Sequence, residues 1–166
     1  LMRRFRLSNS DWSKLPEKAA AQLNDTHPAM AVPELMRILL DEAKLGWDDA
    51  FDLTRRTLAY TNHTLLPEAL EKWPLEWFAA LLPRQLEIIY EINRRLLDDV
   101  EGRFPGDKGR LKRVSLIEEG PERKVRMANL AIVGTHSTNG VAAIHSELLR
   151  KNTVKGSCGI VPRSLQ

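Results

Sequence analysis

The chain predicts a helix-rich α/β fold, and three observations predict it. Apolar residues recur at helical spacing over long stretches, above all between Leu86 and Val100. Prolines stand where such stretches begin, at Pro28, Pro67 and Pro83. Short apolar runs ending in polar residues, at 18–23 and 58–62, have the length of buried strands and precede the first two of those prolines.

Taken in order, residues 8–17 are rich in Ser, Asn, Asp and Pro and read as a loop. Residues 18–23 follow as a strand. Pro28 opens a helix at about residue 29 that reaches Lys44, with Leu35, Ile38 and Leu39 on one face and Gly46 as its stop. A second helix covers 48–57, starting near Trp47, and 58–62 is a short strand or extended turn. Pro67 starts a helical turn to Trp73, which Pro74 breaks. Residues 75–82 are helical. Pro83 leads the longest helix, to about Val100, with Leu86, Ile89, Tyr90, Asn93, Leu96, Leu97 and Val100 at helical spacing. Phe104-Pro105-Gly106-Asp107 is a turn. Residues 111–127 alternate irregularly and are expected to hold one or two strands. The apolar run 129–134 is either helix or strand, and 141–149 is a terminal helix.

A chain of 166 residues is long enough for one domain with a core. Its 43% hydrophobic and 28% charged residues are ordinary globular values, so disorder is not expected. The net charge of +3 is mild. The basic clusters Arg110, Lys112, Arg113 and Arg123, Lys124, Arg126 read as solvated surface around a loop rather than a nucleic-acid face. The single Cys158 excludes an internal disulfide and favours a reducing, cytoplasmic setting. No apolar run is long enough for a membrane span, and the basic start lacks the apolar stretch of a signal peptide. A first residue Leu1 rather than Met points to an N-terminus made by truncation or processing.

Two polar segments carry the chemistry: Gln22-Leu23-Asn24-Asp25-Thr26-His27-Pro28 and Tyr60-Thr61-Asn62-His63-Thr64. Each follows a predicted strand and precedes a proline-started helix, the junction where open α/β sheets bind ligands. Asp25 can accept hydrogen bonds from hydroxyls, and His27 can donate or accept them. Helix capping by Asp25 or Thr26 is the simpler local reading. His63 on its loop can hold a sugar hydroxyl through either ring nitrogen, or be tied to backbone carbonyls. His27, His63, His136 and His145 show no metal-ligand spacing, so no metal site is expected. Glu68 and Glu71 fall on one face of a helical turn. Carboxyls so placed point the same way and do not flank a scissile bond, so a glycosidase pair is not expected. Gly134-Thr135-His136-Ser137-Thr138-Asn139-Gly140-Val141 is a small-residue loop before a helix, able to receive an anion or sugar oxygen on backbone N–H groups. Trp12, Trp47, Trp73 and Trp77 suit core and interface packing better than sugar stacking.

With these segments stand Pro33-Glu34-Leu35-Met36-Arg37, Leu82-Pro83-Arg84, Ile88-Ile89-Tyr90-Glu91-Ile92-Asn93, Phe104-Pro105-Gly106-Asp107, Glu118-Glu119-Gly120 and Asn139-Gly140-Val141-Ala142 followed by Ile144-His145-Ser146. In this order, from about Arg3 to Arg150, they resemble the α-1,4-glucan (glycogen/maltodextrin) phosphorylases. The resemblance implies part of the N-terminal Rossmann-like domain of a two-domain GT-B type glycosyltransferase fold, with a deep cleft between the domains. It implies an enzyme that cleaves the terminal α-1,4-glucosidic bond with phosphate and releases glucose 1-phosphate, using the phosphate group of pyridoxal phosphate. The parent is expected to be a homodimer.

By that resemblance His63 holds the terminal glucose, Asp25 and His27 line the pocket beneath it, Glu68 and Glu71 belong to the loop and helix beside it, and Asn139 and Val141 approach glucose and cofactor. Animal members carry a remote glycogen-storage surface on the long helix and the Glu119 turn. Glu87, Arg94 and Arg123 stand there in this chain, so storage binding is not carried over. The family's cofactor-lysine segment, its Lys/Arg-rich phosphate-binding stretch and its N-terminal glycine-rich loop are absent from these residues. An enzyme needs its reacting groups in one constellation, so the isolated chain is expected to be inactive.

Residues 1–150 are thus expected to be a partial phosphorylase domain, and 151–166 a tail outside the family pattern. Synonymous codons exist for Gly156 to Gln166 that, shifted by one base, read Asp-Leu-Ala-Glu-Leu-Phe-Pro-Glu-Val-Phe, which fits the family's next segment. A frameshift near Lys155 is therefore expected, leaving a disordered tail. Two other readings stay open: a stand-alone glucan-binding module without catalysis, and a folded remnant with no function. Self-association through apolar surface is expected of a partial domain.

Overall fold

A computed structural model describes residues 2–63 and 70–140. The chain starts with a short helix, Met2–Ser8 (α1), whose Phe5 is buried against Trp12 at 5.5 Å between ring centroids. A 3-10 turn at Trp12–Lys14 leads into Leu15–Lys18 (α2), and only then does the first strand begin, at Ala21–Asn24 (β1). The strand expected at 18–23 therefore starts three residues later. Pro16 favours the first helical turn and carries the chain into α2 instead.

Helix Ala31–Arg37 (α3) tolerates Pro33 because the proline lies in its first turn, where its missing N–H has no intrahelical partner to lose. The helix continues as a π-turn over Ile38–Glu42, and Ala43 N–H reaches Ile38 O at 2.9 Å. Lys44, at φ 60°, ends it in the left-handed conformation, and Leu45 N–H closes on Leu39 O. Gly46 is therefore not the stop. It is extended and stands before Trp47–Thr57 (α4). In α4, Asp48 and Asp49 occupy the first turn and Arg55 and Arg56 the last, complementing the helix dipole. Its buried residues Ala50, Leu53, Thr54 and Thr57 form one stripe.

Leu58–Asn62 (β2) then runs parallel to β1, with Leu23 opposite Tyr60 and Asn24 opposite Thr61. The intervening α3 and α4 provide the crossover that a parallel pair requires. Lys72–Pro74 is a strand (β3), not the end of a helical turn. Trp73 pairs with Val125, and extended pairing overrides the turn that Pro67 predicts. Leu75–Leu81 (α5) and Pro83–Arg103 (α6) follow as expected, α6 three residues longer than predicted. The buried stripe of α6 is Ile88, Ile89, Ile92, Leu96 and Val100, whereas Tyr90 is 38% exposed.

Lys108–Val114 (α7) is a helix that overlaps the start of the span 111–127, and the one or two strands expected there follow it. Asp107 caps it by accepting Arg110 N–H at 2.8 Å. Ile117–Glu118 (β4) and Lys124–Arg126 (β5) form with β3 an antiparallel sheet in the order β3-β5-β4. The undecided run near 129–134 is helical, Met127–Val133 (α8). Thr138–Gly140 (β6), within the predicted loop, is a strand beside β2, giving the parallel sheet β1-β2-β6. The predicted helix at 141–149 lies outside the described residues.

One core joins these elements. Leu23, Leu58 and Tyr60 of the parallel sheet pack with Val32, Met36 and Leu39, with Ile89 and Ile92 of α6, and with Leu130 of α8. The alternation of side chains splits the sheet in two. On one face Leu23, Leu58, Tyr60, Asn62 and Thr138 are each no more than 3% exposed. On the other, Gln22, Asn24, His63 and Asn139 are exposed and Thr61 is half-buried. Parallel sheets are normally covered on both faces. Here the described residues cover one, and the other, apart from the buried Ala59, is polar.

Candidate functional site

The site lies at the carboxyl ends of β1, β2 and β6 and has three parts. The first is the loop after β1. Asp25 N–H donates to Thr61 O at 2.8 Å, extending the ladder one residue past the strand. Asp25 then turns the chain at φ 67°, a conformation Asp tolerates better than most residues. Its Oδ1 accepts Thr26 N–H at 2.7 Å. Asp25 and Thr26 do not cap α3. The residue before α3 is Met30, and it makes no side-chain cap.

Thr26, 2% exposed, gives its hydroxyl to Glu71 Oε2 at 2.5 Å. Asp25 Oδ1 lies 3.3 Å from the same hydroxyl, but one proton serves one acceptor at a time, and the shorter contact takes it. The other oxygen of Glu71 stands 3.2 Å from His27 Nδ1. The carboxylate makes Nδ1 the protonated nitrogen, and His27, with a 76% exposed side chain, turns Nε2 outward. Glu71 is itself held by its backbone, whose carbonyl accepts Met127 N–H at 3.1 Å. Glu71 thus clips the β1 loop to the start of α8.

The second part is the polar face of the sheet. Gln22 Nε2 donates to Thr61 Oγ1 at 2.7 Å, and Thr61 Oγ1 donates to Asn139 Oδ1 at 3.0 Å. Beside this chain of bonds, His63 Nε2 meets Asn24 Oδ1. With Nε2 donating to that carbonyl, Nδ1 of a neutral ring is left as an acceptor.

The third part lies beneath. Tyr60 Oη accepts Asn62 Nδ2 at 2.8 Å, both residues being buried. Among the described residues Asn62 Oδ1 and Thr138 Oγ1 are buried without a partner. Burial pushes the Tyr60 phenol up to about 12, with the charges of Asp25 and Glu71 acting in the same direction and the Asn62 hydrogen bond opposing them.

The predicted residues therefore divide. Asp25, His27 and Glu71 converge in the loop cluster, and His63 and Asn139 lie on the polar sheet face. The two groups meet where Asn24 joins Asp25. Glu68 and Val141 lie outside the described residues. Gln22, Asn24, Thr26 and Thr61 are participants that residue-type reasoning underrates. The period-two spacing of Gln22 with Asn24 and of Thr61 with His63 is the signal that points to them.

The arrangement presents amide, imidazole, hydroxyl and carboxylate groups, a set suited to hydroxyl-rich ligands. Among the described residues no cluster of His, Cys, Asp and Glu could hold a metal ion. Neither hydrogen-bonded cluster contains a lysine or arginine. Lys72, next to Glu71, turns to Glu118 at 2.9 Å. These groups do not fit pyridoxal phosphate, which needs a lysine for its aldehyde and cationic or N–H donors for its phosphate.

Elsewhere the surface is ion-paired. Arg123, Lys124 and Arg126 engage Glu119, Glu122 and Glu118, and Arg110 engages Asp107. Glu87 pairs with Arg84, and Arg94 with Glu91 and Asp98. Trp12 and Trp73 pack on Phe5 and Phe78, Trp47 faces Arg95, and Trp77 is 56% exposed. Among the described residues no helix is long and apolar enough to cross a membrane.

The family model for carbohydrate phosphorylases matches residues 1–166. The chain is 51% identical over 174 aligned positions to the brain form of glycogen phosphorylase from Bos taurus and to the muscle form from Homo sapiens, matching 100% of this chain and 21% of each relative. It is 55% identical over 151 positions to the brain form from Rattus norvegicus, matching 91% of this chain and 18% of that relative. The chain therefore spans about a fifth of the length of these curated relatives. With its helix-rich α/β fold and its parallel sheet, the chain belongs to the carbohydrate phosphorylase family.

Proposed function

We propose that this chain is the sugar-facing segment of a glucan phosphorylase, part of the N-terminal half of a GT-B type fold. The parent enzyme transfers the terminal glucosyl unit of an α-1,4-glucan to phosphate and releases glucose 1-phosphate. Pyridoxal phosphate serves it from residues outside the described ones, and it works as a cytoplasmic homodimer. The observation that carries this reading is the polar sheet face, where His63, Asn24, Thr61 and Asn139 lie side by side with hydrogen-bonding capacity to spare. Sugars are held by such arrays of donors and acceptors around a ring. Asp25 and His27 line the pocket beneath the sugar, with Glu71 beside it; the substrate roles that the resemblance gives Glu68 and Val141 fall on residues outside the described ones. The division at residue 150, with a reading frame shifted near Lys155, belongs to the same proposal.

The isolated chain binds glucan and does not turn it over, because no cation stands in the described clusters to receive phosphate. Incubation of the 166-residue chain with maltopentaose, phosphate and pyridoxal phosphate is expected to yield no glucose 1-phosphate. Saturable shifts of the His63 and Asn139 resonances on adding maltopentaose, lost in His63→Ala, are expected in NMR spectra. Turnover would overturn the assignment of inactivity, and the absence of any shift would overturn the sugar-facing role.

A further inference from the structure

We propose that Gln22 and Thr61 are positioning residues that orient the amide of Asn139 so that its N–H groups, rather than its oxygen, face the sugar. This rests on the reading that the polar sheet face binds glucan. Thr61 stands opposite Asn139 in the register of β2 and β6, and opposite Asn24 in that of β1 and β2. Gln22 sits one side-chain step back on the same face of β1. The bonds run in one direction. The Gln22 amide donates to Thr61 Oγ1 at 2.7 Å, and the Thr61 hydroxyl donates to Asn139 Oδ1 at 3.0 Å.

The direction matters because a hydroxyl carries one proton and can relay it either way, whereas an amide nitrogen can only donate. With Gln22 presenting N–H to Thr61, the Thr61 proton must point toward Asn139. An asparagine amide is chemically lopsided, with oxygen on one side and nitrogen on the other, and on an exposed surface either orientation is open to it. The relay couples it to Gln22: while the Gln22 amide presents N–H to Thr61, one orientation of Asn139 is selected. Asn139 Oδ1 turns inward as acceptor, and both N–H groups of Nδ2 turn outward. Asn24 is oriented the same way, with its oxygen engaged by His63 Nε2. The face therefore presents amide donors from Asn24 and Asn139 beside the acceptor Nδ1 of His63. That pattern suits the lone pairs of ring and hydroxyl oxygens along one edge of a pyranose and one hydroxyl proton between them.

Thr61→Val removes the hydroxyl while keeping shape and strand propensity, and Thr61→Ser restores it. The side-chain amide pair of Asn139, observed in a nitrogen-15 labelled full chain, is the direct readout. In Thr61→Val its two proton shifts are expected to converge toward those of a free amide, and maltopentaose affinity to fall about fivefold, the equivalent of one ordinary hydrogen bond. Thr61→Ser is expected to keep both within about twofold, and Gln22→Leu to fall between the two. Unchanged Asn139 amide shifts in Thr61→Val overturn the relay whether or not sugar binds. If the parent chain gives no shift with maltopentaose at any residue, the sugar reading fails, and the relay then stands or falls on the amide signature alone. A Thr61→Val chain with a lowered unfolding midpoint and a Thr61→Ser chain equally affected would reduce Thr61 to a packing residue.

Discussion

Gly134→Ala is a single-methyl test of how the site loops are seated. Gly134 follows α8 and precedes β6, and it lies against α3, the helix that the Asp25–His27 loop feeds. A Cβ added at Gly134 would stand 2.5 Å from Val32 Cγ2, closer still to Cγ1 and 3.0 Å from Cβ. A rotamer change cannot relieve this, because both methyls and the branching carbon are in the way. A valine in a helix also has one strongly preferred rotamer. Val32 is fully buried, so its backbone or that of Gly134 must shift.

Overpacking of this kind costs about 1–3 kcal/mol. Gly134 sits at φ −87° and ψ 6°, which alanine adopts, so a smaller unfolded-state entropy offsets about 0.4–1 kcal/mol of that cost. The net expectation is a loss of about 1–2 kcal/mol, or about 3–8 °C in the thermal midpoint for a chain of this size. Val32→Ala alone removes two buried methyls and costs about 1.6 kcal/mol. The double variant should be better than the sum of the singles by at least about 1 kcal/mol, because the truncated Val32 leaves room for the new methyl. Urea unfolding followed by circular dichroism measures all four corners of the cycle. A Gly134→Ala midpoint equal to that of the parent, or strict additivity in the double variant, would refute the reasoning.

Other outcomes follow from the same structure. Asn93→Ala should cost about 1–3 kcal/mol, because Asn93 Oδ1 accepts the N–H of buried Leu116 at 2.7 Å and its removal leaves that donor without its partner; urea unfolding gives the loss, and hydrogen exchange should show the Leu116 amide deprotected. Tyr60 has a folded value pushed up to about 12, above the ordinary value of 10.0, so its contribution is fully present below pH 10 and is lost as pH rises toward 12. The difference in phenolate absorbance between the parent and Tyr60→Phe should therefore appear only near the alkaline unfolding transition, and its appearance well below that transition would contradict the burial of Tyr60. Glu34 is held below its ordinary range by Arg37, and Asp41 by Arg84. Their contributions are present above the unfolded values of 4.5 and 3.8 and are lost as pH falls through and below them. The acid limb of a stability-against-pH curve should therefore flatten slightly in Arg84→Gln, by less than about 1 kcal/mol because the pair is exposed.

Helices were the most legible part of the chain. The 3.6-residue stripe and Pro83 mark α6, and the segments read as helices at 48–57 and 75–82 fall on α4 and α5, because each buries one face on a shared core. A local pattern is then enough to say what folds, though Tyr90 shows that the stripe's edge is read less well. The exceptions share a cause. Lys72–Pro74 and Thr138–Gly140 are three-residue strands, and a strand that short exists only because a partner, β5 or β2, supplies its hydrogen bonds from far along the chain. Nothing within three residues announces that partner. Lys44 likewise takes the left-handed stop that Gly46 was better suited to by type, because the π-turn before it shifts the register of the helix end.

The site divides along the same line. Sequence alone determined that polar residues gather after two apolar runs, that Asp25, His27 and His63 are among them, and that the blocks follow in phosphorylase order. Only the tertiary structure decided which groups meet. It brought Glu71 to Thr26 and His27, Asn139 to Thr61, and His63 to Asn24. Spacing along a chain fixes direction only within one strand or one helical turn. Contacts between Gln22, Thr61 and Asn139 depend on the register of three parallel strands, and that register is set by the core packed beneath them.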